Sequence, residues 1–217
     1  MDNTVSFSLL ELFQLGGVLM WPLLVFSIAT LTIGLERLIF FIQNDRKIDD
    51  ISAKVAEMVA DRDYTGAREY LEPLTKRRMG ARILLALINR CTPGEGNFSE
   101  RHAERAVETE AMSCINSLES GMNFLVALGS LSPLTGFLGT VAGMIGAFRS
   151  IAEATEVNAQ IVANGIYEAL ITTVAGLIIA IVAMIFHSIF SHLIDKFTAG
   201  VEKTCSGLIA DITAQET

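Results

Sequence analysis

Glu168 is the only Asp, Glu, Lys or Arg between Glu156 and Asp195, so a single carboxyl stands inside a long apolar run. It follows Glu156 by twelve positions, or ~18 Å of helix, which is deep within a hydrocarbon core ~30 Å thick. An ionised carboxylate is costly there, so the chemistry open to it is to bind and release a proton near neutral pH. The plainer alternative is a protonated Glu making one structural hydrogen bond. Thr140, Thr172 and Thr173 are hydroxyls able to line a file of water beside it. Taken singly, each also reads as an ordinary helix hydrogen bond.

Such a carboxyl must be held by elements that cross the membrane. Residues 12–35 and 120–148 carry no charged side chain, and each run exceeds the ~20 residues a helix needs to span. With the run around Glu168 they predict three transmembrane helices, near 16–40, 124–148 and 162–190. The second and third have one face of small residues. Gly129, Ser132, Gly136, Gly139, Thr140, Gly143 and Gly146 recur at helical spacing, as do Gly165, Ala169, Thr172, Gly176, Ala180 and Ala183. In lipid no hydrophobic force joins helices, and small faces associate them by letting backbones approach. These two spans should therefore pack on each other or on a partner, with Glu168 on the small face toward protein or a cavity and the first span toward lipid. Together the faces exceed what one three-span protomer can cover, so the chain is expected to be a homo-oligomer. Pro133 removes a backbone donor from the second span and is expected to bend it.

Composition agrees with a membrane protein: 51% of residues are hydrophobic, 18% are charged, and mean hydropathy is +0.48. The net charge of −8, without a basic stripe, leaves no nucleic-acid footprint. The three cysteines, Cys91, Cys114 and Cys205, fit neither a disulfide framework nor a zinc motif, and no cofactor or metal motif occurs. No Ser/His pair, Asp pair or metal motif falls at membrane depth, so the chain does not read as an enzyme. The N-terminus lacks a basic signal-peptide region, and the first apolar segment is expected to remain.

Of the 16 Lys and Arg residues, all but Arg37, Arg149, Lys196 and Lys203 lie between positions 43 and 119. The positive-inside rule then places 43–119 and the tail in the cytoplasm. The expected organisation is a periplasmic N-terminus over 1–15, a first span over 16–42, a cytoplasmic helical domain over 43–119, the second and third spans with a short periplasmic connection over 120–195, and a cytoplasmic C-terminal helix over 196–217. Within the cytoplasmic domain, Ile51–Val59 and Arg82–Arg90 read as short amphipathic helices. Residues 92–97 read as a break, and Ser99-Glu100 as a helix start. From Val107 to position 146 one apolar or small stripe runs unbroken, which predicts a single helix of ~40 residues.

These residues resemble the ExbB/TolQ/MotA proton-channel family. The likeness lies in Pro133-x-x-Gly136-x-x-Gly139-Thr140-Val141-x-Gly143, in Gly165-Ile166-x-Glu168-Ala169-Leu170-x-x-Thr173 with Gly176-Leu177, and in Gly16-Gly17-x-x-Met20-x-Pro22-Leu23 with Glu36-Arg37. It implies an all-α protein with long helical extensions into the cytoplasm, assembled as a pentameric ring in the bacterial inner membrane. It further implies a central dimer of an ExbD/TolR-like one-span partner bearing an aspartate, and proton flow that energises a TonB- or TolA-like protein. By the same resemblance Glu168, Thr140 and Thr173 form the proton pathway, and Gly136, Gly139, Gly143, Gly165, Thr172 and Gly176 serve packing and pore lining. Val182 stands where many members have proline, so the third helix is expected to be straighter. A TolQ-like role in envelope integrity and a non-conducting assembly scaffold are the rival readings. A four-span MotA-type stator would need a larger chain.

Overall fold

A computed structural model describes residues 13–43, 48–91, 99–153 and 159–216. Apart from turns and one isolated bridge residue, the described chain is helical. The helices are α1 (Met20–Gln43), α2 (Asp49–Ala60), α3 (Tyr64–Leu71), a 3-10 turn (Glu72–Lys76), α4 (Met79–Ile88), α5 (Glu100–Glu119), α6 (Met122–Glu153) and α7 (Ala159–Glu216). Three segments are long and apolar enough to cross a membrane, Met20–Gln43, Glu100–Glu153 and Gly165–Gln215, as the charge-free runs require. The expected break over 92–97 and most of the expected 1–15 segment lie outside the described residues.

Two differences from the sequence expectation concern where helices begin and end. The stripe from Val107 to position 146 is divided, because α5 stops at Glu119, Ser120 is extended, and Gly121 adopts φ +82°. A left-handed residue cannot continue a right-handed helix, and glycine adopts that conformation without a Cβ penalty. Apolar periodicity continues through such a break because side-chain spacing does not record φ. The second difference is at the first span, whose helix starts at Met20 and not at residue 16. Gly17 sits at φ +67° in the turn before it, while Pro22 falls in the first helical turn, where its missing N–H costs nothing. By contrast α6 continues through Pro133, α7 is uninterrupted through Val182, and α5 starts at Glu100 as expected.

Contacts divide the chain into two compact units. The first comprises Met1–Leu35 and Gly121–Ser188. In it α6 and α7 meet along their small faces, and the start of α1 packs on α7 through a cluster of Met20, Leu23 and Ile179 with Phe13, Phe26, Ile171 and Ala175. Farther along α1, Gly34 receives the ring of Phe186.

The second unit comprises Glu36–Ser120 and Ile189–Thr217. Its core is built of bulky aliphatics, with Ile51, Leu71, Leu84, Leu87, Leu118 and Ile212 fully buried. The rings of Phe41 and Phe190 stack with centroids 5.1 Å apart. Arg37 is buried, donates from Nη1 to the Ser117 carbonyl at 3.2 Å, and pairs through Nη2 with Glu36 at 2.8 Å. Its charge thus meets one of the last carbonyls of α5, which carry the negative end of that helix. Arg82 pairs with Glu110 at 2.5 Å, and Arg62 donates to the Gln215 carbonyl at 2.6 Å.

Candidate functional site: Glu168 between two helix faces

The small faces of α6 and α7 interlock at backbone contact. A Cβ placed on Gly136 would lie 2.8 Å from the Thr172 carbonyl oxygen and 3.0 Å from the Thr173 Cα. One on Gly176 would strike the Ser132 carbonyl oxygen, and one on Gly165 would lie 2.7 Å from the Ala147 Cβ. Gly143 meets the Gly165 carbonyl and the Ala169 Cβ, both at 3.0 Å, and Gly139 meets the Thr172 hydroxyl. All six residues expected to serve packing are therefore at this interface, and a Cβ at Gly136, Gly139, Gly165 or Gly176 would come closer than 3.0 Å to a neighbouring atom.

Hydroxyls reinforce the same seam. Thr173 Oγ1 donates across it to the Gly136 carbonyl at 3.0 Å, and buried Thr172 lies 2.8 Å from the Ala169 carbonyl of its own helix and 3.4 Å from the same Gly136 carbonyl. Ser132, fully buried, donates to Leu128 at 2.7 Å, and Thr140 donates to Phe137 at 2.6 Å.

Glu168 lies at the margin of this seam. Residues 165, 169, 172 and 176 form the strip of α7 that meets α6, whereas 171, 175 and 179 point to the start of α1. At 3.6 residues per turn the two strips are about 90° apart, and position 168 belongs with the second. Its carboxyl lies directly against the Cα of Gly17, where any Cβ would overlap Oε1. Beside it opens a cavity of about 550 Å³, lined on α1's approach by Gly16, Val18 and Leu19 and on α6 and α7 by small residues and Thr172. Glu168 is the only titratable side chain among the described lining residues, and it is exposed in the isolated protomer. Among the described residues it makes no hydrogen bond or ion pair. Thr172 reaches the cavity, while Thr140 and Thr173 are not among its lining. The structure thus joins Glu168 to Thr172 and to the turn before α1, and it assigns the Thr173 hydroxyl to the α6–α7 seam.

Sequence reasoning assigned no role to Gly17. The signal available was a Gly-Gly pair immediately before a span, but nothing local says which distant side chain occupies the room it leaves.

The site is thus a lone carboxyl at a cavity between small-faced apolar helices, and comparison with known proteins gives the family. Residues 73–203 match the MotA/TolQ/ExbB proton channel family. The chain belongs to this family. It is 35% identical over 207 residues to the ExbB-like 1 biopolymer transport protein of Synechocystis sp., covering 88% of this chain and 75% of that one. It is 26% identical over 182 residues to the biopolymer transport protein ExbB of Salmonella typhimurium, covering 82% and 73%. A shorter segment of 74 residues is 45% identical to the Tol-Pal system protein TolQ of Pseudomonas aeruginosa, covering 34% and 32%. The matched range includes α6 and the part of α7 that carries Glu168. Gly17 lies outside it.

Proposed function

We propose that the chain is a proton-conducting stator subunit of an ExbB-like inner-membrane motor. The observation that carries this reading is the Glu168 carboxyl, unpaired among the described residues and set at a cavity inside the membrane-spanning unit. In this reading Glu168 accepts a proton on a carboxylate oxygen and returns it to a carboxylate on a one-span partner of ExbD/TolR type, while Thr172 supplies a hydroxyl to the path. Thr140 and Thr173, expected on the path by resemblance, act on it through the helices that carry them. The exposed apolar and small surfaces of α6 and α7 are covered by further copies of this chain in a pentameric ring. A TonB- or TolA-like protein receives the work. The N-terminus is periplasmic, and residues 43–119 and the C-terminal tail are cytoplasmic.

The energetics require repeated passage. One proton crossing ~100 mV releases ~2.3 kcal/mol, whereas a small domain is stable by roughly 5–15 kcal/mol. Several protons are needed for one such mechanical event.

The test compares two substitutions in cells carrying the partner proteins. Glu168→Gln keeps shape and hydrogen bonding but cannot titrate, and Glu168→Ala removes both. Both are expected to abolish proton-driven activity while the assembled complex persists. Full activity in Glu168→Gln would sink the titrating role.

The 45% identity to a TolQ segment supports a second reading, a role in a Tol-Pal-type system. The periplasm-spanning protein recovered by cross-linking separates them. A TonB-like partner supports the ExbB-like role, and a TolA-like partner supports the second.

A further inference from the structure

We infer that Gly17 is a positioning residue for Glu168, and that the turn over residues 16–20 fixes where the carboxyl exchanges its proton. This rests on the reading that Glu168 titrates. Three features of the turn make it a mould for the carboxyl.

The first is conformation. Gly17 has φ +67°, in the left-handed region that L side chains rarely adopt. The second is space, since the Glu168 carboxyl occupies the position a Cβ on residue 17 would take, and the overlap is with Oε1 itself. The third is that the turn is held from several directions. The Gly17 carbonyl accepts the Met20 N–H at 3.2 Å, and the Val18 carbonyl accepts that of Trp21 at 3.3 Å. The Phe13 ring meets Trp21 edge-on at 5.3 Å, and Met20 is buried beside Ile171 and Ile179 of α7. Gly16 is closed in by Met20 and by Ile171, 3.3 Å from where its Cβ would be.

Ile171 is one turn from Glu168 on the same helix. The packing that anchors the turn to α7 therefore also sets the turn's height relative to the carboxyl. Moving the turn moves the backbone that Oε1 lies against. The charged side chains of α6, Arg149 and Glu153, bond to each other at 2.9 Å, and Ser150, which shares the cavity lining, donates to the Gly146 carbonyl at 3.0 Å.

The test reads Glu168 directly and does not need proton flow. Dicyclohexylcarbodiimide adds to a protonated carboxyl in an apolar setting, and the adduct on Glu168 is counted by mass spectrometry in native membranes as pH is varied. Glu168→Gln defines the background. In Gly17→Ala the labelling rate at Glu168 should change at least fivefold, and proton-driven activity should fall at least tenfold with the complex still assembled. Shortening the acid in the Gly17→Ala background, with Glu168→Asp, should restore part of the labelling profile, because the shorter chain withdraws from the added methyl. A merely structural glycine predicts no such rescue.

Should Gly17→Ala not accumulate, Val18→Lys leaves both glycines in place and sets a cation at the cavity wall. It should shift the pH midpoint of labelling downward by at least half a unit. Wild-type labelling and activity in Gly17→Ala would overturn the proposal, as would an unmoved midpoint in Val18→Lys. Retained activity in Glu168→Gln would instead overturn the titrating role, whatever Gly17 does.

Discussion

The two units of this chain solve the packing problem in opposite ways. Where α6 meets α7, helices touch through glycine, alanine and threonine, with carbonyl oxygens of one helix in the space left by missing side chains of the other. In the unit of α2 to α5 with the end of α7, helices are held apart by fully buried Ile, Leu and Val. The solvent explains the difference. Water drives bulky apolar side chains together at about 25 cal/mol per Å². Lipid offers them no such gain, so close backbone approach and dispersion remain.

The contrast is broken most severely by filling a glycine of the seam. Gly176→Leu drives a side chain into the Ser132 backbone carbonyl, which cannot rotate away. A loss above ~4 kcal/mol is expected, seen as absence of monodisperse protein after detergent extraction. Gly146→Ala is the matching control, because nothing lies within 4 Å of its Cβ position. Its melting temperature should not fall, because alanine is also the better helix former.

Removing bulk from the other unit is the next largest effect. Leu84→Ala should cost roughly 2–5 kcal/mol through lost burial and a cavity, measured by denaturant unfolding of the complex. A Gly176→Leu protein as stable as wild type, beside a destabilised Leu84→Ala, would mean that the seam is looser than its contacts imply.

A smaller effect separates the units by pH. Cys205, buried in the second unit beyond the apolar run that ends at Asp195, has its thiol pushed by burial up to about 12 from an ordinary 9.0. The raised value disfavours thiolate in the folded state. Stability is thus unaffected below pH 9 and falls as pH rises from 9 toward 12. Between pH 8 and 10 the loss is on the order of 1 kcal/mol, and Cys205→Ala should lack that component of the alkaline slope.

The smallest effect concerns the hydroxyl across the seam. Thr173→Val removes the bond to Gly136 at nearly constant volume, with an expected cost of ~0.6 kcal/mol. A loss of activity with assembly intact would give Thr173 a second role, on the proton path.

Much of this architecture was legible beforehand. Charge-free runs located the spans because burying charge in lipid is prohibitive, and 3.6-residue spacing put Gly136, Gly143, Gly165 and Gly176 on facing strips. The isolated acid at 168 announced itself by depth alone. Less legible was the division of labour among the threonines. Residues 172 and 173 differ by 100° around one helix, and only the docked position of α6 decides that both hydroxyls reach the Gly136 carbonyl while Thr172 alone also lines the cavity.

By itself, then, the sequence determined that three helices are apolar enough to span, which of them are small-faced, and that one carboxyl lies among them, since each follows from local composition and helical periodicity. Tertiary structure alone decided that α5 and α6 part at Gly121 and that the turn before α1 closes on Glu168. Backbone dihedrals leave no trace in hydrophobic spacing, and Gly17 and Glu168 are far apart along the chain, with no local rule linking them. Their contact exists because Met20 and Leu23 bury themselves on the strip of α7 that also carries the carboxyl.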